Sequence, residues 1–218
     1  MIYNLQTWFK DGIKNLLPDS ILTHRLPRQA GNAVMLTFDD GPDPIITPII
    51  LDLLSQYHAS AIFFIVGKKA KKHPEIINQI IARGHIIGNH TYNHPNRIIS
   101  SVQEYRQEIL LCAEILNVLN INTLQLVRPP LGLSLANLLV SISMRLKIVL
   151  WSIEGGEWGV NKNDKTEDII YRLQNSIQSR DILLLHDDNE RVISILNGIL
   201  PFLIHRKFNL NNGIKFLI

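Results

Sequence analysis

Ala33-Val34-Met35-Leu36-Thr37-Phe38-Asp39-Asp40-Gly41-Pro42 decides how this chain reads. A short apolar run stops at two carboxylates and a Gly-Pro turn. This pattern predicts a buried strand over 33–38 with a polar tip at its C-terminal end. Two adjacent like charges repel, so a cation or a set of hydrogen bonds has to offset them. The same punctuation recurs downstream. Apolar runs at 59–66, 85–88, 124–127, 147–153 and 182–185 predict strands. Stretches of helical period at 45–56, 74–83, 101–119, 134–144, 166–178 and 192–205 separate them. Ser101 with Glu104 predicts a capping box, Pro201 an interruption of the helix around it, and residues 214–218 a last strand.

Strands that alternate with helices require a mainly parallel sheet with crossover helices. The polar groups fall just after the strands: Asp39 and Asp40, then His90 and His94, Arg128, Glu154 and Glu157, and His186 and Asp187. In a barrel those C-terminal ends converge on one mouth. The expected fold class is therefore α/β, a distorted (β/α) barrel of about seven parallel strands with surrounding helices. An open doubly wound sheet is the competing architecture. No repeat, low-complexity segment or linker divides the chain. Residues 31–218 read as one domain, preceded over 1–30 by an amphipathic helix and connector packed on it.

Composition narrows the function classes. Of 218 residues, 46% are hydrophobic, enough for a real core, and the 19% that are charged argue against disorder. A net charge of +3 suits an anionic surface or polymer without demanding one. The basic residues are scattered, and the run over 68–72 reads as a solvated helix start, so no nucleic-acid partner is expected. The single cysteine, Cys112, excludes an internal disulfide and any Cys-based zinc site, and reads as a small buried residue. Leu5, Trp8, Phe9, Ile13, Leu16 and Leu17 share one helical face, which would plug the side of its own domain. The alternative is association with a membrane surface. With no secretory leader and no span-length apolar stretch, the expected location is cytoplasmic or membrane-peripheral, and the expected state a monomer.

Three further clusters carry chemistry. His90-Thr91-Tyr92-Asn93-His94-Pro95 spaces two imidazoles so that both can reach one ion, and Pro95 places them in a loop. Joined by a carboxylate they form a His-His-Asp set that leaves coordination positions open, as a hydrolytic metal requires. His186 follows the apolar run Leu183-Leu184-Leu185, where its surroundings could tune it as a general acid. Arg128, held before Pro129-Pro130, could orient a carboxylate and keep it ionised.

Thr37–Pro42 (TFDDGP), His90–Pro95 (HTYNHP), Arg128–Gly132 (RPPLG) and Leu183–Asp187 (LLLHD) together resemble, in order, the motifs of the polysaccharide deacetylase family with its NodB homology domain, carbohydrate esterase family 4. The resemblance implies a metal-dependent hydrolase that removes the N-acetyl group from N-acetylglucosamine-type units of a glycan: a chitin oligomer, peptidoglycan or a glycan precursor. It implies Asp39 as the base that activates water, and Asp40, His90 and His94 as ligands of a divalent metal, usually Zn2+, with Co2+, Ni2+ or Mn2+ as alternatives. It implies that Arg128 holds Asp39, that the Leu131 N–H binds the oxyanion, that Leu184 lines the acetate pocket, and that His186 protonates the leaving amine. Glu157 would tune His186, and Trp158 would meet the substrate. The family usually carries aspartates where Glu154 and Glu157 stand, and the extra methylene displaces a carboxylate by about 1 Å unless the backbone at Gly155-Gly156 compensates. An acetyl esterase, another amidase or a glycan-binding member without turnover are the alternatives. A glycosidase is disfavoured, because adjacent Asp39 and Asp40 cannot flank a sugar ring.

Overall fold

The computed structural model describes residues 16–119, 125–158 and 163–217. Leu5, Trp8, Phe9 and Ile13 of the expected amphipathic helix lie outside the described residues. Leu16 is exposed, and Leu17 packs against a buried apolar cluster. Among the described residues no helix is long and apolar enough to cross a membrane.

The strands are β1 (Leu22–Thr23), β2 (Met35–Asp39), β3 (Ala61–Ile65), β4 (Ile86–Asn89), β5 (Leu126–Val127), β6 (Lys147–Val149), β7 (Ile153–Glu154) and β8 (Ile182–His186). All pair in parallel, in the order β1-β6-β5-β4-β3-β2-β8-β7. Helices α1 (Ile46–Gln56), α2 (Gly67–Lys72), α3 (Pro74–Ala82), α4 (Val102–Val118), α5 (Leu135–Ser143) and α6 (Thr166–Ser176) supply crossovers, and α7 (Arg191–His205) follows β8. β6 and β7 lie six strand positions apart in the sheet, about 29 Å if it were flat. Yet only residues 150–152 join them, a reach of about 14 Å from Val149 to Ile153. The sheet therefore curls into a nearly closed barrel, as expected. The strand expected over 147–153 is two strands for the same reason: its first half pairs with β5 and β1, and its second half with β8.

Alternation along the strands decides what enters the barrel. Leu36, Phe38, Ala61, Phe63, Ile65, Leu183 and Leu185 join the cluster beneath the helices. Met35, Ile62, Phe64 and Ile182 belong to a separate interior cluster with Leu126 and Val149. Thr37, Asp39, Leu184 and His186 share the parity of Met35 and Ile182, so they continue the interior column towards the mouth. The register aligns Thr37 with Leu184 and Asp39 with His186.

Three other sequence expectations are corrected. Of the strand expected over 214–218, residues 214–217 form none: Asn212–Phe216 is a 3-10 turn, and Ile218 lies outside the described residues. The Asn209 side-chain oxygen accepts from the N–H groups of Asn211 and Asn212 and turns the chain, while Asn209 itself makes the bridge to Ala33. The helix over 191–205 runs through Pro201 unbroken, with Leu196, Ile199, Leu200 and Leu203 buried on its inner face. Ser101 accepts from the Glu104 N–H as expected, but the Glu104 carboxylate pairs with Arg97. A reciprocal capping box forms instead at α5, between Ser134 and Asn137.

Candidate active site

The barrel mouth holds a cleft of about 800 Å³ lined by Asp39, Asp40, His90, His94, Leu131, Glu154, Trp158, Leu184 and His186, among others. Every residue the resemblance named for catalysis, metal or substrate lies in this cleft or directly behind it. Asp39 ends β2 and is buried, and Arg128 lies behind it with 0% exposure. Its Nη1 donates to Asp39 Oδ1 and to Thr37 Oγ1, both at 2.8 Å. Nε donates to the Val149 carbonyl (2.8 Å) and Nη2 to the Leu150 carbonyl (3.1 Å). The guanidinium also lies 4.1 Å from the centre of the Phe64 ring. A buried cation costs free energy unless it is paired and hydrogen-bonded, and here a carboxylate pairs it and four of its five N–H groups have acceptors.

Asp40 turns away from the strand at φ 74°. One oxygen of Asp40 and one ring nitrogen each from His90 and His94 all lie within 4.8 Å of one another. Asp40 Oδ1 is 3.0 Å from His94 Nε2 and 3.4 Å from His90 Nε2, yet it is buried and accepts no hydrogen bond. The Arg128 carbonyl lies 2.6 Å from His90 Nδ1, which fixes the proton there and leaves Nε2 as a lone pair facing Asp40. Three lone pairs converging on one point, one of them on an oxygen without a donor, fit a divalent cation. Burial alone would raise the Asp40 pKa, but the two histidines outweigh it and hold the carboxyl well below the usual carboxylate range. Burial disfavours the His94 imidazolium, but the hydrogen bond and charge of Asp40 raise its pKa overall.

His186 ends β8, in register beside Asp39. Glu157 approaches it with 1% exposure, and its Oε1 accepts from the His186 backbone N–H at 2.6 Å and lies 3.2 Å from Nδ1. Burial opposes the imidazolium, but the Glu157 hydrogen bond and charge prevail, with Asp39 and Asp40 adding to them, and the pKa is pushed up to about 9. The longer side chain of glutamate has been accommodated. A Cβ on Gly155 would sit 2.2 Å from Glu157 Oε2 and 2.6 Å from Leu185 Cδ2, so only glycine leaves room for the carboxylate. Glu154 also lines the cleft, and burial raises its pKa.

Leu131 adopts φ 59° at the rim with its side chain exposed, and its N–H has no acceptor among the described residues. Leu184 is buried at the cleft wall, and Trp158 is 44% exposed. The sequence reading passed over Thr37 and Trp151 as site residues. Thr37 accepts from Arg128 and donates to the Leu183 carbonyl. Its signal was parity: it is a polar residue inside an apolar strand, two positions before Asp39. Trp151 lines the cleft from the short connection between β6 and β7 and carried no periodic signal.

Comparison with known proteins places these features in a family. The family model described as polysaccharide deacetylase matches residues 27–148. A peptidoglycan-N-acetylglucosamine deacetylase of Bacillus cereus is 43% identical over 139 residues, 63% of this chain and 50% of the relative, so the chain spans about half that relative's length. A second protein of that description from the same organism is 35% identical over 194 residues, covering 86% of this chain and 89% of its own. The crystal structure of the Bc1960 peptidoglycan N-acetylglucosamine deacetylase superposes with a TM-score of 0.77 at 34% identity, covering 85% of this chain and 87% of the other. By sequence and by fold, the chain belongs to the polysaccharide deacetylase family.

Proposed function

We propose that this chain hydrolyses the N-acetyl group of N-acetylglucosamine-type units in a glycan, using Zn2+ held by Asp40, His90 and His94. The observation that carries the proposal is the placement side by side, in one cleft, of Asp39 held by Arg128 and His186 held by Glu157, with the Asp40–His90–His94 set beside them. The description of the Bacillus cereus relatives as peptidoglycan-N-acetylglucosamine deacetylases supports the substrate class.

A bound divalent cation supplies Lewis-acid polarisation of the acyl carbonyl and acidifies water. The chain's own residues do the rest. Arg128 pairs with Asp39 and aims it, so that its carboxylate takes a proton from the attacking water. The Leu131 N–H donates to the oxygen that gains charge as the acyl carbon becomes tetrahedral. His186, protonated at neutral pH, gives its proton to the departing nitrogen as the C–N bond breaks. Acetate and a free amino sugar leave. Leu184 faces the methyl group, and Trp158 with Trp151 offers flat apolar surface to the sugar.

The test is acetate release from N-acetylglucosamine oligomers and peptidoglycan, with acetylated xylan as the ester control, before and after chelation. Activity on the amide substrates should vanish on chelation and return with Zn2+, and Asp39→Asn should abolish it. Release from xylan alone would overturn the amide assignment, and activity indifferent to chelation would overturn the metal.

A further inference from the structure

The loop carrying both histidine ligands is held from behind by a carboxylate that no catalytic motif contains. Glu108 lies on α4, buried at 9% exposure, and forms no ion pair among the described residues. Its Oε2 accepts from the backbone N–H groups of Tyr92 (3.0 Å) and Asn93 (2.8 Å). Its Oε1 accepts from Asn93 Nδ2 at 2.8 Å. All three donors belong to the two residues midway between His90 and His94.

The loop needs such a hold. Thr91 and His94 both sit in the left-handed region, at φ 69° and 51°. Non-glycine residues stay there only when their surroundings over-determine the backbone. Other ties hold the backbone on either side: the Asn89 side chain accepts from the Thr91 N–H and donates to the Ile109 carbonyl, Thr91 Oγ1 accepts from the His94 N–H, and the α2 N–H groups of Gly67 and Lys68 meet the carbonyls of Thr91 and Tyr92. Among the described residues, only Glu108 takes the N–H groups of Tyr92 and Asn93. Burying an unpaired carboxylate for fold stability alone is a poor exchange, since an apolar side chain would serve the α4 face, where Tyr105, Ile109, Cys112 and Leu116 are its buried companions. The geometry points to Glu108 as the positioning residue of the metal centre: it fixes the loop between His90 and His94 so that both imidazoles meet Asp40 before any ion arrives. This rests on reading Asp40, His90 and His94 as a metal site.

The consequence is in metal affinity. Groups that orient metal ligands typically govern affinity by about 10–100-fold. The test titrates Zn2+ alone, without substrate, into chelator-stripped wild type, E108A, E108D and E108Q against a chromophoric chelator. Thermal unfolding of the metal-free proteins establishes which are folded. E108A should bind Zn2+ about 10–100-fold more weakly. E108D, whose oxygens are drawn back by one methylene, should fall between E108A and wild type. E108Q should stay near wild type, because its amide oxygen can accept both backbone N–H groups while the Asn93 amide turns to meet the new NH2. Should E108A not fold, the order of E108D against E108Q decides alone. Equal Zn2+ affinity in the folded variants and wild type would reduce Glu108 to a structural brace and overturn the inference. Absence of Zn2+ binding in the wild type would instead overturn the metal site itself.

Discussion

Arg128 and Asp39 form a buried ion pair at 2.8 Å, and the arginine's other hydrogen bonds go to Thr37 and to the carbonyls of Val149, the last residue of β6, and Leu150, the next. One cation thus ties β2, β5 and the β6–β7 connection together directly behind the base. The arrangement suits arginine alone. Its planar fork serves four acceptors in fixed directions, whereas lysine offers a single ammonium.

Arg128→Lys should therefore fail twice. Unfolding should show a loss of about 3–5 kcal/mol, because part of a buried charge pair is left unsatisfied. Deacetylase turnover should fall by about a hundredfold or more, because Asp39 is no longer aimed. A variant with near wild-type turnover would show that Asp39 needs no aiming.

On the proposed mechanism, the pair Glu157 and His186 sets the alkaline limit. With its pKa pushed up to about 9, His186 remains a competent acid through the neutral range and loses its proton as pH rises through that value. In Glu157→Gln the raising partner is gone, so the alkaline limb of kcat/KM should move downwards, towards the ordinary imidazole range. Stability follows the same sign. A histidine whose folded pKa exceeds its unfolded value of 6.5 contributes its full stabilisation below pH 6.5 and loses it as pH rises through about 9. The stability gap between wild type and Glu157→Gln should close above that pH. A pH-independent gap would show that Glu157 acts by packing and not by charge.

Gly41 makes room for a carboxyl group beneath the Asp40 turn. A Cβ there would lie 2.1 Å from Asp187 Oδ2, the same oxygen that accepts from Thr47 at 2.6 Å. Gly41→Ala should cost about 1–3 kcal/mol by overpacking, read from denaturant unfolding. Removing the obstructing group should recover part of this, so Gly41→Ala and Asp187→Ala should couple favourably in a double-mutant cycle. Additive losses would refute the contact.

Much of the site was legible because its residues cluster locally. Asp39-Asp40, His90 with His94, and His186 each stand at the end of an apolar run, and that pattern needs nothing beyond the side-chain period of a strand and a stopping turn. The helices at α1, α3, α4 and α5 were legible within a residue or two for the same reason: their apolar stripes repeat within the segment. Residues 214–218 misled because a short apolar run looks the same whether it pairs with a neighbour or caps the floor of a barrel.

By itself, the sequence determined the strand-then-carboxylate and strand-then-histidine sequence of elements, the parallel crossovers, and the set of groups available for catalysis. The family resemblance implied a division of labour among them, but only the tertiary structure supplies the contacts behind it. Asp39 and Asp40 are indistinguishable as neighbours in the chain. Register beside β8 and contact with a guanidinium 89 residues away hold one inwards, while a left-handed φ turns the other towards two imidazoles. Glu157 became a partner for His186 only where Gly155 opened space for its longer side chain. The physical reason is one of range: periodicity and turns are written in neighbouring residues, whereas charge pairing and strand register depend on groups that only the closed sheet brings together.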